Sequence, residues 1–222
     1  MKFRVLGLAS AVCLAILATD AKAQNLVVNG GFEQPVVSPS QFATFGFGST
    51  AITGWTVISG TQDPGAGSVD VLGTYQMAHS GTQSVDLDGT SAPTSAGGLR
   101  QTINGLVVGQ NYVLDFFYSN NPFGTTSSAL VTIDGLSASI THSGAAFGTP
   151  NYTEFTRSFT ASATSLALSF ASTDPAVSQT GILLDDVSVT AATATPEPAS
   201  LAMLGLGLAA TGAVTRFRRR NA

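Results

Sequence analysis

The sequence predicts an all-β fold, a jelly-roll β-sandwich, and three observations carry that reading. Between residues 24 and 192, apolar residues recur with a period of two rather than 3.6. Glycines, with many Ser, Thr, Asn and Asp, cut this stretch into segments of strand length. No helix-period segment of useful length lies between the two ends. Many short strands joined by glycine-rich turns pack as two sheets over one core.

The predicted strands follow in order. Trp55 to Ile58, Ser68 to Leu72 and Ser84 to Leu87 come first, and Tyr112 to Tyr118 and Ala129 to Ile133 next. Phe155 to Phe159, Leu166 to Phe170 and Ile182 to Val189 complete the set. Pro35 to Thr53 reads as the longest irregular stretch, and Asn120 to Ser128 as the next. Asp88-Gly89 reads as a hairpin turn rather than the start of a calcium loop, because the later acidic ligands of such a loop are missing.

Both ends of the chain look like export and sorting segments. Residues 1–23 begin with Lys2 and Arg4, run apolar from Val5 to Ala18 and close on Ala21-Lys22-Ala23. This is the pattern of a secretory signal peptide, with Gln24 as the expected mature N-terminus. Residues 193–222 form a linker and a sorting tail. Within it, 199–215 is an uncharged apolar run, followed by Arg216, Arg218, Arg219 and Arg220. As a helix the run reaches about 25 Å, enough for a transmembrane segment if the arginines snorkel and the bilayer thins. The basic cluster would keep the C-terminus in the cytoplasm. Pro196-Glu197-Pro198 stands directly before the run, so the tail resembles the PEP-CTERM sorting signal of Gram-negative bacteria. The resemblance implies an exosortase-type sorting enzyme as partner and transient residence in the inner membrane. Its expected destination is the cell surface or extracellular matrix.

Stripped of its ends, the chain is strongly acidic. Residues 24–195 contain Arg100 and Arg157 against eleven carboxylates, a formal charge of −9, with no lysine and no cysteine. Such a surface repels phosphate backbones, which excludes a nucleic-acid partner, and it suits divalent cations or neutral sugars better. A domain of this size buries enough apolar surface to stand without disulfides.

A series of short motifs adds a resemblance. Asn25-Leu26-Val27-Val28-Asn29-Gly30-Gly31-Phe32-Glu33 opens the series, followed by Gly54-Trp55-Thr56-Val57 and Gly67-Ser68-Val69-Asp70-Val71. Gly81-Thr82-Gln83-Ser84-Val85-Asp86-Leu87, Gly109-Gln110-Asn111-Tyr112 and Leu184-Asp185-Asp186-Val187-Ser188-Val189 complete it. In this order they resemble the choice-of-anchor C family. That family is related to a plant cell-wall family and, more distantly, to carbohydrate-binding modules of galactose-binding-like fold. The resemblance implies a jelly roll with a wall- or glycan-associated role. It also implies one structural calcium ion between the first and last strands, held by Glu33, by Asp185 or Asp186, and by the Gly31 carbonyl. The residues themselves leave an alternative open, in which the aspartates accept backbone N–H bonds at a strand end. Being adjacent in a strand, Asp185 and Asp186 should point to opposite faces.

Sugar binding needs exposed aromatic faces and planar polar groups. Tyr75, Gln76, His79, Arg100, Tyr118, Asn120 and Phe123 fall on loops or strand ends and are the candidates. Trp55 opens an alternating strand and reads as core, and Phe42, Phe45 and Phe47 either serve a ligand or cover an open end of the sandwich. No catalytic residues are assigned, because neither a nucleophile elbow nor a His-Glu-x-x-His motif occurs. The expectation is therefore a non-catalytic module that binds cell-surface or matrix polysaccharide. A matrix or adhesion protein without a small ligand is the alternative, and a glycoside hydrolase a distant third.

Overall fold

The computed structural model describes residues 24–91 and 94–192, and the predicted signal peptide and sorting tail lie outside them. Eleven strands and no helix occur among the described residues, so none of these crosses a membrane as a helix.

The strands are β1 (Phe42–Gly46), β2 (Thr56–Ser59), β3 (Ser68–Leu72), β4 (Ser84–Asp86), β5 (Gly97–Asn104) and β6 (Asn111–Asn120). They continue with β7 (Thr126–Ile133), β8 (Leu136–Ser143), β9 (Thr153–Thr160), β10 (Ser165–Ser172) and β11 (Ile182–Ala191). They form a six-stranded sheet of order β1-β3-β4-β11-β6-β9 and a five-stranded sheet of order β2-β5-β10-β7-β8. The inward residues of both sheets make one core, including Val69, Leu87, Leu99, Leu114, Phe116, Val131, Leu168, Phe170 and Leu184. Trp55 belongs to it, 2% exposed, with its ring 5.5 Å from Phe32 and 6.1 Å from Phe170. Its Nε1 donates to the Asn29 carbonyl at 3.1 Å, which satisfies the one polar atom of a buried indole.

All eight predicted strands are present, and three more join them. β1 lies inside the stretch expected to be irregular, as the edge of the six-stranded sheet, half exposed along its length. β8 is the same kind of omission, a Ser- and Thr-rich edge of the five-stranded sheet. β5 is an interior strand whose alternation is hidden, because Gly97 and Gly98 open it and Gln101 takes an inward position. The Gln101 amide is not idle there. Its Oε1 accepts from Val28 N at 2.7 Å and its Nε2 donates to Val28 O at 2.9 Å, tying the N-terminal segment to the sheet. The second expected loop shrinks to residues 121–125.

The opening motif, read as a first strand, is not one. Asn25 to Glu33 runs along β11 through single bonds, Leu26 N to Val189 O and Val187 N to Gly30 O, both 2.9 Å. The Asn25 carboxamide replaces a backbone acceptor for Val189 N, and Asn29 and Phe32 adopt left-handed angles that break a ladder. Gly30 is required here, since a Cβ would strike the Val187 carbonyl. Asp88-Gly89 is likewise no hairpin. β4 and β5 lie in different sheets, and the pair carries the chain across from one to the other.

Candidate functional site

Between β3 and β4 the chain runs through residues 73–83 and lies against β11 and β6, with His79 bound to Asp186 and stacked on Phe117. This segment gathers two groups of residues, one aromatic and one acidic.

The aromatic group is Phe42 of β1, Tyr75 of this segment, Phe123 of the β6–β7 loop and Phe147 of the β8–β9 loop. Tyr75 is its hub, with ring centroids 5.5 Å from Phe42, 6.4 Å from Phe123 and 6.3 Å from Phe147. Phe123 and Phe147 close the set at 5.8 Å. These rings are not core: Phe123 is 61% and Phe147 64% exposed. Apolar rings left in water in contact with one another mark a surface built to be covered.

Beside Tyr75 lies a shallow cavity of about 170 Å³ lined by Thr74, Gln76, Met77, Ala78, Gly81 and Thr82. Gln76 is 1% exposed, yet neither its Oε1 nor its Nε2 has a hydrogen-bond partner among the described residues. A buried carboxamide with both ends unmet is costly unless something completes it.

The acidic group joins Glu33, Asp185 and Asp186 around residues 79–83. Glu33 accepts from Thr82 N (2.7 Å), Thr82 Oγ1 (2.6 Å) and Gln83 N (3.0 Å). Burial acts to raise its pKa, but those donors outweigh it and hold the carboxyl below its ordinary value. Asp185 accepts from Ser80 N at 3.0 Å and from Asp186 N at 2.7 Å. Burial nevertheless pushes Asp185 up to about 7, with the neighbouring Asp186 charge adding to the effect. Asp186 accepts from Ser80 Oγ at 2.6 Å and pairs with His79 Nδ1 at 2.7 Å.

The two aspartates therefore reach the same serine, against the expectation that they point to opposite faces. The reason is a register shift between Asp185 and Ser188, where Asp186 takes φ 52° and the strict alternation of the strand fails. Gly31 sits against the pair: a Cβ there would be 3.7 Å from the Oδ1 of each. Gly31, Glu33, Asp185 and Asp186 thus share one neighbourhood. Every carboxylate oxygen in it already receives a donor, which is the hydrogen-bonded alternative. Among the described residues no three His, Cys, Asp or Glu side chains converge tightly enough to hold an ion by themselves. The donor chemistry still suits a hard cation. An oxygen that accepts one hydrogen bond keeps a further lone pair, and among the described residues only the His79 imidazole pairs with any of the three carboxylates.

The other candidates separate. His79 stacks flat on Phe117 at 3.5 Å while paired to Asp186, so it stiffens the segment. Tyr118 packs against Phe116 and His142. Asn120 is fully buried and donates to the Asn121 and Gly124 carbonyls, holding the loop that carries Phe123. Arg100 is exposed on β5 in the other sheet, paired with Thr56 and Ser169. Phe45 packs on the core, and Phe42 joins the aromatic group. Phe147 was not among the candidates. It lies in Gly144-Ala145-Ala146-Phe147-Gly148, where a lone aromatic between small residues in a loop is the only signal the sequence offers.

Fold and site together define an all-β sandwich module with an exposed aromatic patch. The chain belongs to the family described as protein of unknown function DUF642, whose model matches residues 25–190. The PEP-CTERM protein-sorting motif matches residues 194–220. Halomucin of Haloquadratum walsbyi is 32% identical over 177 residues, covering 78% of this chain but about 2% of halomucin's length. Among solved structures, a family 61 carbohydrate-binding module in complex with β-1,4-galactotriose is 16% identical, covering 77% of this chain and all of its own, at TM-score 0.45. A family 35 carbohydrate-binding module from Clostridium thermocellum is 13% identical over 68% of this chain and 99% of its own, at TM-score 0.42. The xylan-binding domain of Paenibacillus barcinonensis Xyn10C is 18% identical over 72% of this chain and 99% of its own, at TM-score 0.41.

Proposed function

We propose that this chain is an exported, non-catalytic surface module that binds cell-surface or matrix polysaccharide through the patch formed by Phe42, Tyr75, Phe123 and Phe147. One observation carries the reading: three exposed aromatic rings gathered around the half-buried Tyr75, beside a buried amide that lacks both partners among the described residues. Pyranose C–H faces stack on such rings, and a carboxamide matches a pair of neighbouring hydroxyls by accepting one hydrogen bond and donating another. The acidic surface favours neutral sugars over uronates. A glycan-array screen of the protein tests this. Tyr75→Ala and Phe123→Ala should each weaken the glycan signal severalfold while the melting temperature stays within about 2 °C, and no reducing ends should appear on incubation. An array without signal, or variants that bind like the wild type, would remove the reading.

The same proposal includes a structural calcium ion at Glu33, Asp185, Asp186 and the Gly31 carbonyl. It is supported by three carboxylates sharing one neighbourhood in a domain without lysine. Their mutual repulsion is what a divalent cation relieves, and an ion bound only by the folded state stabilises it by about 2.7 kcal/mol at a hundredfold excess over Kd. EDTA should therefore lower the melting temperature of the wild type by several degrees. Glu33→Gln should start lower and lose the part of the response that belongs to this position.

A further inference from the structure

The crossover between the two sheets holds a second acidic feature, unrelated to the carboxylates beside residues 79–83. Asp86, at the end of β4, and Asp88, two residues on, are 2% and 0% exposed. Their circumstances differ completely. Asp86 is satisfied three times: it accepts from Asp88 N (2.9 Å), Gly181 N (3.0 Å) and Asn121 Nδ2 (2.7 Å). Asp88 has no hydrogen-bond partner on either carboxylate oxygen among the described residues.

The polar groups that act on the Asp88 carboxyl are oxygen-bearing. The Ser172 and Ser178 hydroxyls lie close enough to favour its charged form, and Asp174 and Asp86 are its charged neighbours. Asp174 shares both of its oxygens with a single donor, Ser128 N at 3.0 and 3.2 Å, so most of its lone pairs are unused. Ser172 Oγ accepts from Asp174 N at 3.2 Å, which holds the two in register. Gly181 packs its Cα against Asp88, and a Cβ there would come within 2.7 Å of the Asp88 carboxyl carbon. Residues 173–181 thus fold over a buried carboxylate and bring a second one to it.

A buried carboxylate has few ways to lose its cost, and the described residues offer it no counter-charge. Arg157 donates to the Thr156 carbonyl and lies over the Phe155 ring. Arg100 is exposed on β5. His79 is paired with Asp186, and His142 is engaged with Asn120 and Asn151. We propose that Asp88 and Asp174, with the hydroxyls of Ser172 and Ser178, bind a divalent cation of the calcium class and so fasten residues 173–181 to the β4–β5 crossover. Two carboxylates and two hydroxyls form a hard, all-oxygen set, and water completes the six to eight ligands that calcium takes. A proton is the competing occupant, since burial pushes Asp88 up to about 7. It differs from a cation in one respect: it makes no demand on Asp174.

Calcium titrated into the metal-stripped full chain, read by isothermal calorimetry and by melting temperature, tests the assignment. Asp174→Asn, a change at a half-buried residue, should bind one calcium ion fewer per chain than the wild type and lose part of the calcium-induced rise in melting temperature. Asp88→Asn should behave in the same way. Glu33→Gln reports the other calcium position, and its loss should add to that of Asp174→Asn rather than duplicate it. Wild-type stoichiometry in both Asp174→Asn and Asp88→Asn would overturn the proposal and leave the proton as occupant. Should Asp88→Asn fail to fold, Asp174→Asn alone decides.

Discussion

At the scale of single residues, burial separates the aromatic side chains into two populations with different consequences. Trp55 is enclosed by Phe32 and Phe170 with its N–H satisfied, so truncation leaves a cavity and an unpaired carbonyl at Asn29. Trp55→Ala should cost about 3–5 kcal/mol, measured by urea unfolding. Tyr75→Ala opens no cavity of that kind, because its ring packs on Phe123 and Phe147, which are themselves exposed. A Trp55→Ala protein with wild-type stability would show that the indole is not the core residue described here. The sequence distinguishes Trp55 from Tyr75 because one opens an alternating strand and the other sits among turn residues. It does not distinguish Asn120 from Phe123. Both fall near one loop, and only the packing shows that Asn120 faces inward to brace what Phe123 displays.

At the scale of elements, β3 and β4 set two acids directly opposite each other, Asp70 against Asp86. Like charges in such a pair destabilise a sheet. Burial raises the pKa of both, well above the ordinary value for Asp86. Hydrogen bonds from Thr44 and Thr90 oppose the shift at Asp70 without cancelling it. The sign follows from linkage. A carboxyl whose folded pKa is raised binds its proton more tightly when folded, so its contribution is fully present below about pH 4 and is lost as pH rises through the folded value. Melting temperature should therefore fall as pH rises above about 4, and Asp70→Asn should flatten that fall, most visibly by gaining stability at the alkaline end of the series. An unchanged slope in the variant would remove Asp70 from the account. The alternation of Ser68-Val69-Asp70-Val71-Leu72 made β3 legible, but not its register against β4, because register is a property of the pair. Legibility failed in the same physical way elsewhere. β1 and β8 are edges with little to bury, and β5 carries an inward glutamine whose partner, Val28, is 73 residues away in sequence. The bulge at Asp186 depends on φ, which no pattern of residue types reveals.

At the scale of the whole molecule, the sandwich is joined to a tail whose match to the sorting motif begins at residue 194, just after β11. Deleting residues 196–222 should convert a surface-held protein into one released to the medium, scored by fractionation and immunoblot. Replacing Pro196, Glu197 and Pro198 alone should disturb that fate too if the motif is read by a processing enzyme, whereas a simple apolar anchor would tolerate the change. The aromatic patch and the tail bear on opposite ends of one strand. Phe123 follows the end of β6 that pairs with Ile182, and the tail continues from Ala191, about 30 Å further along β11 at the usual rise per residue. A polymer gripped at Phe123 and an attachment beyond Ala191 would therefore pull lengthwise on a strand hydrogen-bonded on one side to β6 and on the other, near Leu183 and Leu184, to β4. Load in that direction is shared by many bonds at once instead of opening them one after another. Given the proposed polysaccharide binding, this geometry would let a small domain without disulfides serve as a mechanical link between a cell and the material around it.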